Sequence, residues 1–231
     1  METLISKITH MRKLFFILPL FVVAAACTPK SSYNSGTPSQ PLVPVVPGNY
    51  WIYQDSVFNQ NNLGVFENTY RDSMYVTSTS AELTGTNGVV VFYQLADTGG
   101  WFGDSFMGLD PSNTVLYGLD SLNGTAYIEF GTSSQDGASL GSDVDNTTNP
   151  ACPVTYTLYG YATTTVINGH TCLKNVQTTV NCNTFTLEQI NTYVAPGVGV
   201  VRIEDYEADS TLTHLNLSFT QTLTATYNVQ Q

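Results

Sequence analysis

From Gly48 onward the chain alternates apolar and polar residues with a period of two, and Gly, Asn and Asp punctuate the pattern. Such alternation marks strands with one buried face. The C-terminus is the clearest case. Leu215, Leu217, Phe219, Leu223, Ala225, Tyr227 and Val229 hold the odd positions, and Asn, Ser and Thr hold the even ones. Only Gln221 breaks the rule. A strand of that length must bend, so the sheet is expected to be large and strongly curved. Residues 154–166 alternate in the same way, with Val154, Tyr156, Leu158, Ala162 and Val166 on one face. Further strands are predicted over 50–58, 66–78, 88–96, 114–119 and 125–130, whereas 131–150 has no periodicity and reads as a polar loop. No helical stripe is present, and short connections favour antiparallel neighbours. The predicted fold is all-β: one large curved antiparallel sheet over 48–231, a meander that stays open or closes into a small barrel, with few or no helices.

The N-terminus follows a different pattern. Arg12 and Lys13 precede an apolar run, Leu14 to Ala26, that ends in Ala24-Ala25-Ala26 before Cys27. The run is 13 residues, and a membrane span needs about 20. A basic start, a short apolar stretch and small residues at the break define a secretory signal over residues 1–26. The last residues resemble a bacterial lipobox, which makes Cys27 the lipidated first residue of the exported protein. Residues 27–47 are rich in Pro and Ser and are expected to form an extended tether that packs no core. The expected location is the cell envelope, anchored by lipid, with the outer membrane and its periplasmic face favoured.

Charge narrows the partners. The formal net charge is −11. Beyond the signal only Lys30, Arg71, Lys174 and Arg202 are cationic. Nucleic acid is excluded as a partner, because binding it requires Lys and Arg to displace phosphate counterions. Adhesion to anionic lipid headgroups is excluded for the same reason, which leaves the N-terminal lipid as the contact with the membrane.

The run Tyr193-Val194-Ala195-Pro196-Gly197-Val198-Gly199-Val200-Val201 resembles the signature of the TapB-like periplasmic and lipoprotein domains, common in Bacteroidota. Trp51-Ile52-Tyr53 and Tyr70-Arg71-Asp72-Ser73 fit the same resemblance. It implies a curved open barrel like that of the LolA and LolB lipoprotein carriers, and no agreed activity. Ala195-Pro196-Gly197-Val198 by itself suits a type II turn, with Pro presetting φ and Gly supplying φ > 0.

No catalytic constellation emerges. His170 follows Asn168-Gly169 at a predicted hairpin tip and His214 opens the last strand, neither within a recognisable triad. No zinc motif, phosphate loop or nucleophile elbow occurs. Asp143-Val144-Asp145-Asn146-Thr147 lacks the Gly and distant Glu of a calcium loop. The chain is therefore expected to be no enzyme, with no cofactor and no metal. Trp101 and Phe102, in the 97–110 segment, form a candidate aromatic loop for a glycan or protein partner. The competing expectation is an apolar ligand on the concave face, lined by Tyr156, Phe219, Leu223 and Tyr227.

Three cysteines remain beyond Cys27, in a compartment that favours disulfides. A three-residue turn, Ile167-Asn168-Gly169, would set Val166 opposite His170 and Val154 opposite Cys182, with even residues of both strands facing the core. That register pairs Cys152 with Cys182 and leaves Cys172 as a small buried residue.

Overall fold

A computed structural model describes residues 40–59, 65–85, 88–97, 105–119, 126–147 and 149–227. The described residues form one antiparallel sheet of twelve strands. In chain order these are β1 (Tyr50–Asn59), β2 (Val65–Gly85), β3 (Gly88–Asp97), β4 (Ser105–Leu109), β5 (Val115–Leu119), β6 (Tyr127–Gly131), β7 (Ala138–Asp145), β8 (Val154–Ile167), β9 (His170–Val180), β10 (Thr186–Ala195), β11 (Gly199–Ala208) and β12 (Leu215–Tyr227). Each strand pairs with its neighbours in sequence except β6 with β7, and β1 also pairs with β12. The meander thus curls into a ring that is hydrogen-bonded everywhere except between the edge strands β6 and β7.

That seam is held by side chains instead. Asn175 lies on the inner face of β9, opposite Gly160 of β8 and Thr192 of β10. Its carboxamide bonds both the N–H and the C=O of Gly131, at the end of β6. The link from β6 to β7 is tied to β8 as well, because the Asp136 carboxylate accepts from the Thr163 amide.

The core fills one end of the ring. Trp51, Tyr53, Met74, Leu95, Leu116, Phe130, Ile190, Ile203 and Leu223 are all buried there. The segment before β1 completes it, since Leu42 and Val43 are wholly buried. The tether expected over 27–47 therefore does not extend through this segment: burying two branched apolar side chains fixes residues 40–47 to the domain. The signature Tyr193–Val201 closes the same end. The Val198 amide donates to Ala195 O, Gly197 has φ 69°, and the Gly197 amide donates to Pro41 O. Trp51 Nε1 donates to Val198 O at 2.6 Å. A Cβ on Gly199 would sit 2.6 Å from that indole nitrogen, so the glycine is needed to admit the Trp51 ring. The run Val90-Val91-Phe92-Tyr93 is apolar without alternation because β3 packs apolar side chains on both faces. Tyr93 packs on the inner core, and Val90 and Phe92 join Phe106 and Leu119 in a second cluster.

Several sequence expectations are corrected. Residues 131–150 are not all loop, since β7 pairs with β8 from Ala138 to Asp145. The end of the 97–110 segment, Ser105–Leu109, is a strand. The β8–β9 turn has two residues, Asn168 (φ 52°) and Gly169 (φ 82°), the left-handed pair that matches hairpin twist. Ile167 then faces His170, and a shift after Tyr161 leaves Thr155 facing Val180. The inner face of β9 is consequently odd-numbered beyond the bulge, with Asn175, Gln177 and Thr179 opposite Gly160, Leu158 and Tyr156. Cys152 and Cys182, just outside this ladder, are joined in a disulfide with Cα atoms 4.9 Å apart. Cys172 is buried and outside the disulfide, its thiol donating to His170 O at 3.5 Å.

Candidate functional site

The inner face changes character along the strands. On β1, Trp51, Tyr53 and Asp55 point inward in turn, all buried. Asp55 faces Gln221 of β12, and Gln221 faces Ile203 of β11. Asp205, one step further along β11, pairs with Ile190 of β10 and Phe219 of β12. Glu207 pairs with Glu188, and Glu188 with Thr179. Tyr156 of β8 stands opposite Thr179. From Asp55 onward the interior is thus polar and mostly acidic, whereas the end closed by Leu42, Val43 and Trp51 is apolar and packed.

Exposure falls inward from the rim of this polar half. Glu188, Glu207, Tyr156 and Phe219 are partly exposed. Asp205 and Gln221 are 0% exposed. Neither carboxylate oxygen of Asp205 and neither amide atom of Gln221 has a hydrogen-bond partner. Leaving a buried polar group unsatisfied costs about 1–3 kcal/mol, so two adjacent cases concentrate a real destabilisation at one place. Burial pushes the Asp205 carboxyl well up, and the negative charges of Glu188 and Glu207 push it further. Ser218 Oγ donates at 3.2 Å to the Asp205 main-chain carbonyl, not to its carboxylate. Burial also raises Glu188, offset in part by the Thr179 hydroxyl, which donates to Glu188 Oε2 at 2.9 Å. Tyr156 is raised by burial and by Asp145, Glu188 and Asp143, which places those acids around its phenol.

The described cations all lie outside. Arg71 pairs with the outward Gln54. Lys174 sits over the Tyr161 and Tyr193 rings at 5.7 and 5.6 Å. Arg202 Nε meets Glu204 Oε1 at 2.9 Å, and the Tyr193 and Tyr206 hydroxyls donate to Glu204 Oε2. Among the described residues, no three His, Cys, Asp or Glu side chains converge as a metal site would require.

The structure does not bring the four expected lining residues together. Leu223 is part of the packed core. Tyr156 and Phe219 lie in the acidic half. Tyr227 is outside the ring: β12 skips Thr224 in its pairing with β1, which reverses the faces beyond, and Tyr227 is 52% exposed and stacked on Tyr50 at 4.3 Å. Cys27, Trp101 and Phe102 fall outside the described residues. His214 is exposed and His170 half-buried at the hairpin. Asp143 and Asp145 end β7, with Asp145 bonding the Thr147 amide and hydroxyl.

Sequence reasoning missed Asp205, Gln221, Glu188, Glu207 and Asp55. One signal was present: Gln221, the single break in the C-terminal stripe, is the most deeply buried polar residue of β12.

Comparison with solved structures finds a likeness to a Bacteroides fragilis protein assigned as exported and as having a YmcC-like fold. The identity is 15% and the TM-score 0.41, over 81% of this chain and 99% of that chain. No protein-family model and no curated protein matches the chain.

Proposed function

We propose that this protein is a lipid-anchored binding or carrier module of the bacterial cell envelope, without enzymatic activity, that holds a ligand in the polar half of its barrel. The export pattern ending in Cys27 and the likeness of Tyr193–Val201 to TapB-like domains support the compartment and class. The observation that carries the binding reading is Gln221, wholly buried with its entire amide unpartnered. A side chain with that cost is retained where a ligand supplies the missing bonds, since replacing it with an apolar group of similar shape would be neutral or stabilising. Phe219 and Tyr156, partly exposed at the rim of the same polar half, add apolar surface, so a ligand with an apolar body fits beside the polar groups.

Native mass spectrometry of the full-length protein, gently extracted from its own membranes, tests this reading. A defined non-covalent adduct, lost on denaturation, is the expected result. A ligand-free protein that also fails to take up any amphiphile of suitable size overturns it.

A further inference from the structure

We propose that the outer face of β2, β1 and β12 binds an acidic oligosaccharide, with a sugar carboxylate in a cleft at Arg71 and a neighbouring sugar ring on the stacked pair Tyr50 and Tyr227. This site lies outside the barrel, so it stands whether or not the interior holds a ligand.

The cleft sits at the β12 bulge. Ile52 pairs with Ala225 and Tyr53 with Leu223, which leaves Thr224 out of the ladder. Thr224 is exposed, and its hydroxyl donates to Ile52 O at 3.0 Å. Bulges re-aim side chains in this way, often beside functional sites. The cleft measures about 520 Å³ and is lined by Gln54, Thr69, Arg71, Thr224 and Ala225, within the size range of small-ligand sites. The Gln54 amide and the two hydroxyls offer donors and acceptors together, which is what sugar hydroxyls require.

Arg71 supplies the charge. The described cations share one outward row across the sheet: Arg71 pairs with Gln54, Gln54 with Thr222, Thr222 with Arg202, Arg202 with Tyr193, and Tyr193 with Lys174. Arg202 is held by Glu204, and Lys174 lies over two tyrosine rings. Arg71 is exposed and makes no ion pair or ring contact with another described residue. Its planar fork matches a carboxylate with two parallel hydrogen bonds. The net charge of −11 acts only weakly against this contact, because at physiological salt charges beyond about 8 Å are screened.

The tyrosines point to a sugar. Tyr75, Tyr50 and Tyr227 stand side by side on β2, β1 and β12. Tyr50 and Tyr227 stack with centroids 4.3 Å apart and planes 11° from parallel, and Tyr75 and Tyr227 are 40% and 52% exposed. An aromatic face carries negative charge, which attracts the polarised C–H groups on the flat side of a sugar ring. The row between the tyrosines and Arg71 is Ser73, Ile52 and Ala225, two of them small. Tyr75 and Arg71 are about 13 Å apart along β2 at ~3.3 Å per residue. Only a ligand of several linked rings reaches both ends.

The test titrates the full-length lipoprotein calorimetrically, in a polyoxyethylene detergent that has no sugar headgroup. The probes are trigalacturonate, a hyaluronan tetrasaccharide and sialyllactose, each beside its neutral methyl ester. At least one acid is expected to bind saturably and about tenfold tighter than its ester, the fold-change of one charge-assisted hydrogen bond. Arg71→Gln should abolish that difference, and Arg71→Lys, a point charge without the fork, should restore only part of it. Tyr227→Ala should weaken acid and ester alike by about fivefold. Both side chains are exposed, so all three variants should melt as wild type does. Equal binding of acids and esters, or an acid preference that survives Arg71→Gln, overturns the site. Acid binding unchanged in Tyr227→Ala overturns the sugar assignment and leaves a simple anion site, and no saturable binding of any acid overturns both. A ligand held in the interior should be retained by Arg71→Gln in native mass spectrometry, which separates failure here from failure of the reading of the barrel.

Discussion

The carboxamide of Asn175 closes the ring: its Oδ1 accepts from the Gly131 amide at 3.0 Å, and its Nδ2 donates to the Gly131 carbonyl at 3.0 Å, between residues 44 apart in sequence. One side chain thereby does the work of a rung of ladder between strands that do not pair. Asn175→Ala leaves both Gly131 groups buried and unmet, and is expected to lower unfolding free energy by about 2–4 kcal/mol. Asn175→Asp keeps the acceptor but loses the donor, so it should fall between. Urea denaturation of the three proteins checks the order.

Leu42 and Val43 put the domain boundary before residue 40 rather than after 47. Deleting residues 28–39 should leave the melting temperature unchanged. Leu42→Ala is expected to cost about 2–5 kcal/mol, because a filled site becomes a cavity. Equal stability of wild type and Leu42→Ala in denaturant titrations would return residues 40–47 to the tether.

Cys152 and Cys182 close a loop with a sequence separation of 30. Non-reducing peptide mapping should recover that pair with Cys172 free. Reduction should destabilise the protein by roughly 3–4 kcal/mol on the chain-entropy account. A Cys172–Cys182 peptide would contradict the register described above.

Asp205 makes stability depend on pH in a definite direction. Burial, followed by Glu188 and Glu207, raises its folded-state pKa. The groups that face it are Glu188 and Ile190 on β10, Glu207 on its own strand, and Ser218, Phe219 and Gln221 on β12. A raised folded-state value means the contribution is full below the ordinary carboxylate pKa of about 4 and is lost as pH rises through the folded one. The ligand-free protein should therefore melt lower at about pH 8 than at about pH 5, and Asp205→Asn should flatten that slope. Asp209 acts in a separate window. The Thr211 hydroxyl and the Thr213 amide hold it down to about 2, so its contribution is present above the ordinary value and fades only as pH falls toward that number.

Cys27 is the remaining expectation. Intact mass of membrane-extracted protein should begin at Cys27 with acyl chains attached, and Cys27→Ser should release the domain into the soluble fraction. Unchanged membrane attachment of the variant would refute lipidation as the anchor.

The sequence by itself determined the all-β class, most of the strands and their antiparallel pairing, because alternation and turn residues are local signals. Tyr50–Phe58 and residues 154–166 were legible almost to the residue, and so was the Pro196-Gly197 turn. Parity was not. A bulge changes which face a residue takes without altering the pattern, and only the partner strand reveals it. Skipping Thr224 put Tyr227 outside the ring, and the shift after Tyr161 moved the inner face of β9 from even to odd residues. Ala138–Asp145 became a strand because β8 offered an edge, although its own residues carry no stripe. The candidate site was hidden for the same reason. Asp205, Glu188 and Gln221 lie on three strands; the two acids look solvent-facing in sequence and Gln221 is a lone polar break in an apolar stripe, and only ring closure turns them inward together. Whether a carboxylate meets water or the interior of a barrel is decided by what stands across from it, and that belongs to the tertiary structure.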